Sequence, residues 1–520
     1  MKKGVEYIGK VEATEFPCTG VLHCEGEKVR VKGAVEGQTV RFAMGRKHTG
    51  YISGKLHEII ERSPLETKKP VCLHFERCGG CTYQRFEYKD ELALKKDQVR
   101  KLLDDVIKDD YDFTGIEQSP MEWGYRNKME FTFGDCAKGG ELTLGLHKKG
   151  SFYDIEQITD CHIVHQDYNK IIDTVVSTCR EFGLTYMHKL THEGYLRHLL
   201  IRRAATTGEI LVCLVTTSDW KCEPVSKDSE LTDEILSLPI FEDEDERPVY
   251  RAGCLDITEQ MFLEVLAKRL RALILDGSIV GISRALNDDP ADAIKAQSML
   301  DVFGKNFFFE EILGLIFKIT AFSFFQTNSF GAEVLYKIAR DFLGDVTGKV
   351  VYDLYSGTGT IAQIIAPVAK KVIGVEIVEE AVAAARENVE LNDLKNCEFI
   401  CGDVLKVLDS IEEAPGAIIL DPPREGIHPK ALKRIISYGV DKIIYISCKP
   451  TSLAHDLVDF IDGGYRVEKV RCCDMFPHTV HVETVCLLSN RKPDARVKID
   501  VDLEDYYRIK DEQKKNKASE

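Results

Sequence analysis

Apolar and polar residues change rhythm several times along this chain. Up to about residue 62 they alternate one for one between frequent glycines, as in Y-I-G-K-V-E-A and K-V-R-V-K-G-A-V-E-G-Q-T-V-R-F. Short strands joined by glycine turns, with no helical period, predict a small β-barrel over 1–63. Tyr88 to Lys108 then carries Leu92, Val99, Leu102, Leu103 and Val106 along one face, the mark of an amphipathic helix. Strand-like alternation returns from about 115 to 215. A helix capped by Asp or Thr is predicted over 256–275, with the strand S-I-V-G-I-S-R-A-L-N after it. From F-F-Q-T-N-S-F-G-A-E onward, β-branched runs and helical stretches take turns to about 490: K-V-V-Y-D-L, K-V-I-G-V-E, C-E-F-I-C-G-D, G-A-I-I-L-D, K-I-I-Y-I-S-C and a final pair ending in E-T-V-C-L-L. That pattern predicts a doubly wound parallel sheet. The fold class is therefore α/β, with a barrel at 1–63, a mostly antiparallel central region at 64–310, a Rossmann-like domain at 311–495 and a charged tail at 496–520.

The most informative stretch is V-V-Y-D-L-Y-S-G-T-G-T, residues 350–360, followed by the helical I-A-Q-I-I-A. A strand, glycine turn and helix let a cofactor approach backbone N–H groups closely. Glu376 ends the next strand, where an acid can bind ribose hydroxyls. The spacing Gly357-x-Gly359-x-x-Ala362 also satisfies a dinucleotide pattern, so the loop by itself leaves NAD open. Asp353 at the mouth of the site favours S-adenosylmethionine, because a carboxylate repels a pyrophosphate and suits an ammonium and a sulfonium.

In a parallel sheet the working residues sit at the carboxyl ends of strands. Those ends are Asp353, Glu376, Asp403, Asp421 in D-P-P-R-E-G, and Cys448 in Y-I-S-C-K-P. Asp403 is placed for the adenine end of the cofactor. The D-P-P loop carries Arg424 where amine methylases have an aromatic residue, which points away from amine methylation. Cys448 offers a different chemistry. A pyrimidine C5 is too poor a nucleophile to take a methyl group until a thiolate adds at C6, and Lys449 or a sulfonium would raise the thiolate fraction. The C5 proton must then leave, so a base is needed. P-H-T-V-H-V-E-T-V offers Glu483, with His478 and His481 nearby and His481 second in order.

Composition changes the picture in two places. The chain has 520 residues, enough for two to four domains, and 17 cysteines with no apolar leader after Met1 and no run of about 18 apolar residues. A cytoplasmic protein that neither spans a membrane nor forms structural disulfides is expected. Cys72, Cys78 and Cys81 stand in a C-x5-C-x2-C loop, and three thiolates this close converge on a metal centre, with Cys161 the candidate fourth ligand. The spacing fits neither paired zinc knuckles nor a radical-type cluster loop, and four thiolates would close an iron–sulfur cubane. His74 and His162 are bystanders. The net charge of −16 argues against a nucleic-acid partner, yet much of the acid lies between Asp219 and Asp245 and in the run 242–246, within a stretch, 219–247, expected to be an inserted loop. Lys28, Arg30, Lys32, Arg41, Arg46 and Lys47 would form a basic face on the barrel. Arg126, Lys128, Arg197, Arg202 and Arg203, with Tyr125 and His198, could contact phosphates and stack bases.

Taken together, F-F-Q-T-N, D-L-Y-S-G-T-G-T, D-P-P-R-E-G, Y-I-S-C-K-P and H-V-E-T-V, with C-x5-C-x2-C upstream, resemble the RNA (uracil-5-)-methyltransferase family, and most closely its 23S ribosomal RNA branch. That resemblance implies an N-terminal TRAM barrel and a [4Fe-4S] cluster on Cys72, Cys78, Cys81 and Cys161. It implies Cys448 as nucleophile and Glu483 as base. It matches Gln326, Tyr355, Thr360, Glu376, Asp403 and Asp421 to S-adenosylmethionine-binding positions, although Ser356 and Thr360 depart from the family's usual glycine loop. It also implies that the Tyr88–Lys108 helix packs on the catalytic domain. The expected activity is methylation of uridine C5 in structured RNA, ribosomal or alternatively transfer RNA, by a monomer. Two other classes remain: an iron–sulfur oxidoreductase using NAD, and an RNA-binding assembly factor without chemistry.

Overall fold

The computed structural model describes residues 4–238, 250–251, 254–291 and 295–490. The acidic run at 242–246 and the charged tail beyond Val501 fall outside these residues. No helix among the described residues is long and apolar enough to cross a membrane.

The glycine-punctuated start folds into a six-stranded sheet, Glu6–Lys10, Ala13–Glu15, Thr19–Cys24, Glu27–Lys32, Thr39–His48 and Tyr51–Glu61, in the spatial order first, fifth, sixth, fourth, third, second. Alternate residues such as Leu22, Val29, Val40 and Phe42 point into its own small core. The predicted basic face is largely neutralised. Lys28 and Arg30 pair with Glu15, Arg41 with Glu58, and Lys47 with Glu27. Strand alternation put these cations on a surface, but acids lie within reach on the same sheet: Glu58 directly opposite Arg41 on the neighbouring strand, and Glu15 and Glu27 one strand further off.

The central region is a seven-stranded sheet covered by helices Gln166–Glu181 and Glu259–Arg271. Its neighbours are antiparallel except Glu209–Thr216 beside Ser278–Leu286. Thr258 caps the second helix, accepting from Met261 N–H at 3.3 Å. The acidic stretch expected as a loop contains strand Val225–Ser226 and helix Glu230–Leu236. Leu231 and Ile235, one turn apart, bury themselves in the central core while the acids face out; the charge density hides that period.

The C-terminal sheet has eight strands, in the order Cys397–Cys401, Ala369–Glu376, Val346–Leu354, Ala417–Leu420, Lys442–Ser447, Glu483–Asn490, Tyr465–Cys473 and Asp112–Glu117. It is not purely parallel: Glu483–Asn490 runs antiparallel to both neighbours. Alternate strand residues fill cores on both faces, Ile444 and Ile446 on one and Ile443 and Tyr445 on the other. Residues upstream complete this domain. The helix Tyr88–Asp104 buries Val99 and Leu103 against the sheet, and Asp112–Glu117 adds an edge strand beside Tyr465–Cys473.

Candidate active site

Register sets the crevice. Leu354 lies opposite both Val375 and Leu420, so Tyr355, Glu376 and Asp421 leave the sheet as neighbours. Tyr355 holds φ +66, a left-handed conformation that non-glycine residues seldom adopt, and turns the chain sharply into the glycine loop. The Glu376 carboxylate accepts from Gly357 N–H at 3.0 Å and from Ile377 and Val378 N–H at 2.8 and 3.0 Å. Asp403 caps the helix Val404–Val407, accepting from Leu405 N–H at 3.0 Å, and stands near enough to Tyr355 to disfavour its phenolate. Thr360 opens the helix Thr360–Ile365 and is buried. A Cβ at Gly357 would meet only Phe324, so that face of the loop is open. At Gly359 it would collide with Phe399 and Ala385, so the second glycine serves packing of loop against sheet.

Asp353 differs from its expected place. It is fully buried, and its Oδ2 accepts from Ala362 N–H at 2.9 Å, tying the end of its strand to the helix that follows the glycine loop. Burial and the nearby Asp421 push its carboxyl well above the usual range. Enclosed in this way, the carboxyl does not stand at the mouth of the site and does not discriminate between cofactors as an exposed charge there would. The crevice still fits a cation. Asp353 Oδ1 and Ser356 Oγ are buried without partners, and the charged form of Asp421 disfavours those of both Asp353 and Glu483.

The antiparallel strand brings the remaining groups together. Ser447 lies opposite Thr484, which puts Cys448, just past its strand, beside Glu483, the first residue of the next. Burial raises the Glu483 carboxyl to about 8, with Asp421 pushing the same way and Arg424 opposing. Burial alone raises Asp421 to about 7. The Cys448 thiol is half-buried and raised to about 11, by burial and then by Glu483 and Asp421, while the Arg424 guanidinium hydrogen-bonds it and pulls it down. The cation facing the thiol is thus Arg424, not Lys449. Its loop is held from below: Ser452 Oγ donates to Arg424 O at 2.6 Å, and the buried Asp456 accepts from Ile427 N–H at 2.9 Å and from Tyr445 OH at 2.7 Å. Burial pushes His481 down to about 4, and Arg424 adds to the effect, so this ring is neutral at physiological pH and a poor proton acceptor there.

Tyr336 was missed by sequence reasoning. It lies on helix Ser329–Leu343, buried, with its hydroxyl bonded to the Gln326 side chain and facing Asp421, Asp353 and Glu483. Only its position on the otherwise apolar inward stripe of that helix marked it. The arginines expected to hold phosphates are spent internally. Arg197 donates to the carbonyls of Asn287, Asp289 and Ala291, and Arg202, buried, to those of Thr320 and Ser323. Arg203 pairs with Asp167, and Lys128 with Glu130. Tyr125 and His198 are buried too, the former donating its hydroxyl to Pro477 O at 3.0 Å. A long arginine on a strand of a two-sided sheet reaches backbone carbonyls as readily as solvent.

Cys72, Cys78, Cys81 and Cys161 line one cavity. Burial raises their thiols, Cys81 and Cys161 to about 12, and their mutual proximity adds to this. Backbone N–H groups already point at sulfur: His74 N–H at Cys72, Gly80 N–H at Cys78, and those of Ile163 and Val164 at Cys161. Such donors suit thiolate ligands. Four thiols around one cavity, with backbone donors aimed at three of the sulfurs, make a donor set that fits a metal–thiolate centre. His74 is engaged by Glu156 and Thr159, and His162 by Asp160.

The comparisons with known proteins agree with a methyl-transfer site. A family model described as tRNA (uracil-5-)-methyltransferase matches residues 255–491. An RNA methyltransferase of Caldanaerobacter subterraneus is 44% identical over 488 residues, spanning 94% of this chain and 99% of its own. One from Clostridium tetani is 43% identical over 487 residues, spanning 93% and 98%. The solved Pyrococcus abyssi tRNA (uracil-54, C5)-methyltransferase, in complex with S-adenosyl-L-homocysteine, shares the fold at TM-score 0.66 and 23% identity, covering 93% of this chain and all of that one. This protein is a S-adenosylmethionine-dependent RNA methyltransferase. It belongs to the RNA (uracil-5-)-methyltransferase family, which removes the NAD oxidoreductase and the non-catalytic assembly factor.

Proposed function

We propose that the protein methylates C5 of a uridine in large-subunit ribosomal RNA, with Cys448 as nucleophile and Glu483 as base. The observation that carries this is the pairing of Ser447 with Thr484, which sets a thiol and a buried carboxyl side by side at the crevice. The Cys448 thiolate, favoured by Arg424, adds to C6 and makes C5 a carbanion equivalent. Bound S-adenosylmethionine supplies the methyl group that C5 takes. Glu483 then accepts the C5 proton, the C6–S bond breaks with its electrons returning to sulfur, and the double bond is restored. The crevice of Asp421 and Glu376, with Gln326, Tyr355, Thr360 and Asp403, binds the cofactor. The target base must leave its stack for Cys448 to reach it. Cys72, Cys78, Cys81 and Cys161 hold a four-iron cluster, which as methyl transfer moves no net electrons acts as a structural clamp, and the N-terminal sheet is a TRAM barrel. The enzyme acts in the cytoplasm as a monomer.

Ribosomal RNA is favoured by the motif set joined to the four-cysteine loop. Transfer RNA is the second reading, favoured by the fold shared with a tRNA enzyme. Incubation with labelled cofactor and either RNA, each transcribed with 5-fluorouridine, tests both. Fluorine cannot leave as a proton, so a covalent adduct on Cys448 should accumulate with the true substrate. No adduct with either RNA removes the mechanism, and an adduct with tRNA alone reverses the choice of substrate.

A further inference from the structure

The segment Asp474 to Val482 leads into Glu483 and is tied to the cysteine loop rather than left free. The carbonyl of His478 accepts from Thr82 N–H at 2.6 Å and from Tyr83 N–H at 3.0 Å, the two residues that follow Cys81. The N–H of His478 donates to Glu91 Oε1 at 2.7 Å. Its ring is buried, stacks on Trp123 at 3.8 Å and lies 3.3 Å from both Glu91 and Glu122. Trp123 packs edge-on against His162, next to Cys161. Tyr125 holds Pro477, and Lys95 joins Glu91 to Asp474 at 2.7 and 2.8 Å. His478 has φ +66, so this clamp requires a left-handed residue at that point.

We infer that His478 is a positioning residue that locks the four-cysteine loop to the segment carrying Glu483, so that the integrity of that loop decides where the base stands. This rests on Glu483 being the base. Glu483 takes its proton only after the methyl group has moved. A misplaced carboxyl therefore leaves addition to C6 and methyl transfer intact but stalls release, and the methylated RNA stays bonded to Cys448. Loss of fold would instead abolish the adduct and the product together.

The test uses the full-length protein as isolated, ordinary uridine RNA and methyl-labelled S-adenosylmethionine. Wild type is set beside His478→Val, which opposes the left-handed backbone and removes the ring, His478→Asn, which tolerates that backbone, and Cys81→Ser. We expect label retained on denatured protein to rise at least tenfold in His478→Val and Cys81→Ser while released product falls tenfold. His478→Asn should restore release to within about threefold. Hydrogen exchange of a peptide covering 474–483 should quicken at least tenfold in Cys81→Ser, a reading independent of turnover. Release at the wild-type rate in both His478→Val and Cys81→Ser overturns the inference, as does loss of adduct and product in parallel or an unchanged exchange rate. Wild type with 5-fluorouridine RNA is the control; failure to form the adduct there overturns the Cys448 and Glu483 assignment itself.

Discussion

Replacing Arg424 with glutamine isolates the electrostatics of the nucleophile. The guanidinium bonds the Cys448 thiol and opposes the two carboxyls that raise it to about 11. An adjacent arginine lowers a carboxyl by about 1–3 pKa units, and it favours a thiolate in the same way. Arg424 itself is exposed, so water screens it, and the lower end applies: about one unit, or roughly a tenfold smaller thiolate fraction at fixed pH. The fall should be read directly on sulfur. Alkylation by iodoacetamide, followed at the Cys448 peptide by mass spectrometry from pH 7 to 11, reports the thiolate without RNA or cofactor and separates this residue from the other sixteen cysteines. In Arg424→Gln the profile should move up by about one pH unit, with Arg424→Lys between the two because an ammonium keeps the charge but not the fork. Lys449→Gln should barely move it. An Arg424→Gln profile superimposable on wild type, or a larger shift from Lys449→Gln, would refute the reasoning.

Four further outcomes follow from the structure. Glu483 and Asp421, raised to about 8 and 7, hold protons that ordinary carboxyls lose near pH 4, so kcat/KM should climb between pH 6 and 9; a flat profile there contradicts Glu483 as an ionised base. The same raised values mean that their contribution to folding stability is present at low pH and lost as pH rises through 7 and 8, and Glu483→Gln should flatten that part of the denaturation-versus-pH curve. Lys95→Met strands the buried Glu91 and Asp474 without their shared cation and should cost about 3–5 kcal/mol in urea unfolding; a loss under 1 kcal/mol would show the triad to be dispensable. Gly359→Ala combines φ +75 with a clash on Phe399 and should weaken S-adenosylmethionine binding more than tenfold by calorimetry while the circular dichroism spectrum stays native.

The chemistry-bearing residue types stood in the open along the chain, because strand ends mark themselves. An apolar β-branched run that stops at an acid, a cysteine or a glycine pair announces where a side chain leaves the sheet, and Glu376, Asp421 and Cys448 needed nothing more. What those residues meet depended on which strand runs backwards. Only the antiparallel insertion of Glu483–Asn490 brings its first residue to the carboxyl ends of its two neighbours and sets it beside Cys448. Local patterning carries no sign of strand direction, because a buried strand looks alike read from either end. Burial had the same effect on charge. Asp353, Arg197 and Arg202 look like free charges in one dimension, yet packing encloses all three, and Arg424 rather than its rival Lys449 reaches the thiol. The sequence determined which groups were available and at which strand ends. The tertiary structure decided which of them face one another and in what protonation state, because contact and desolvation belong to the packed molecule and to no segment of the chain.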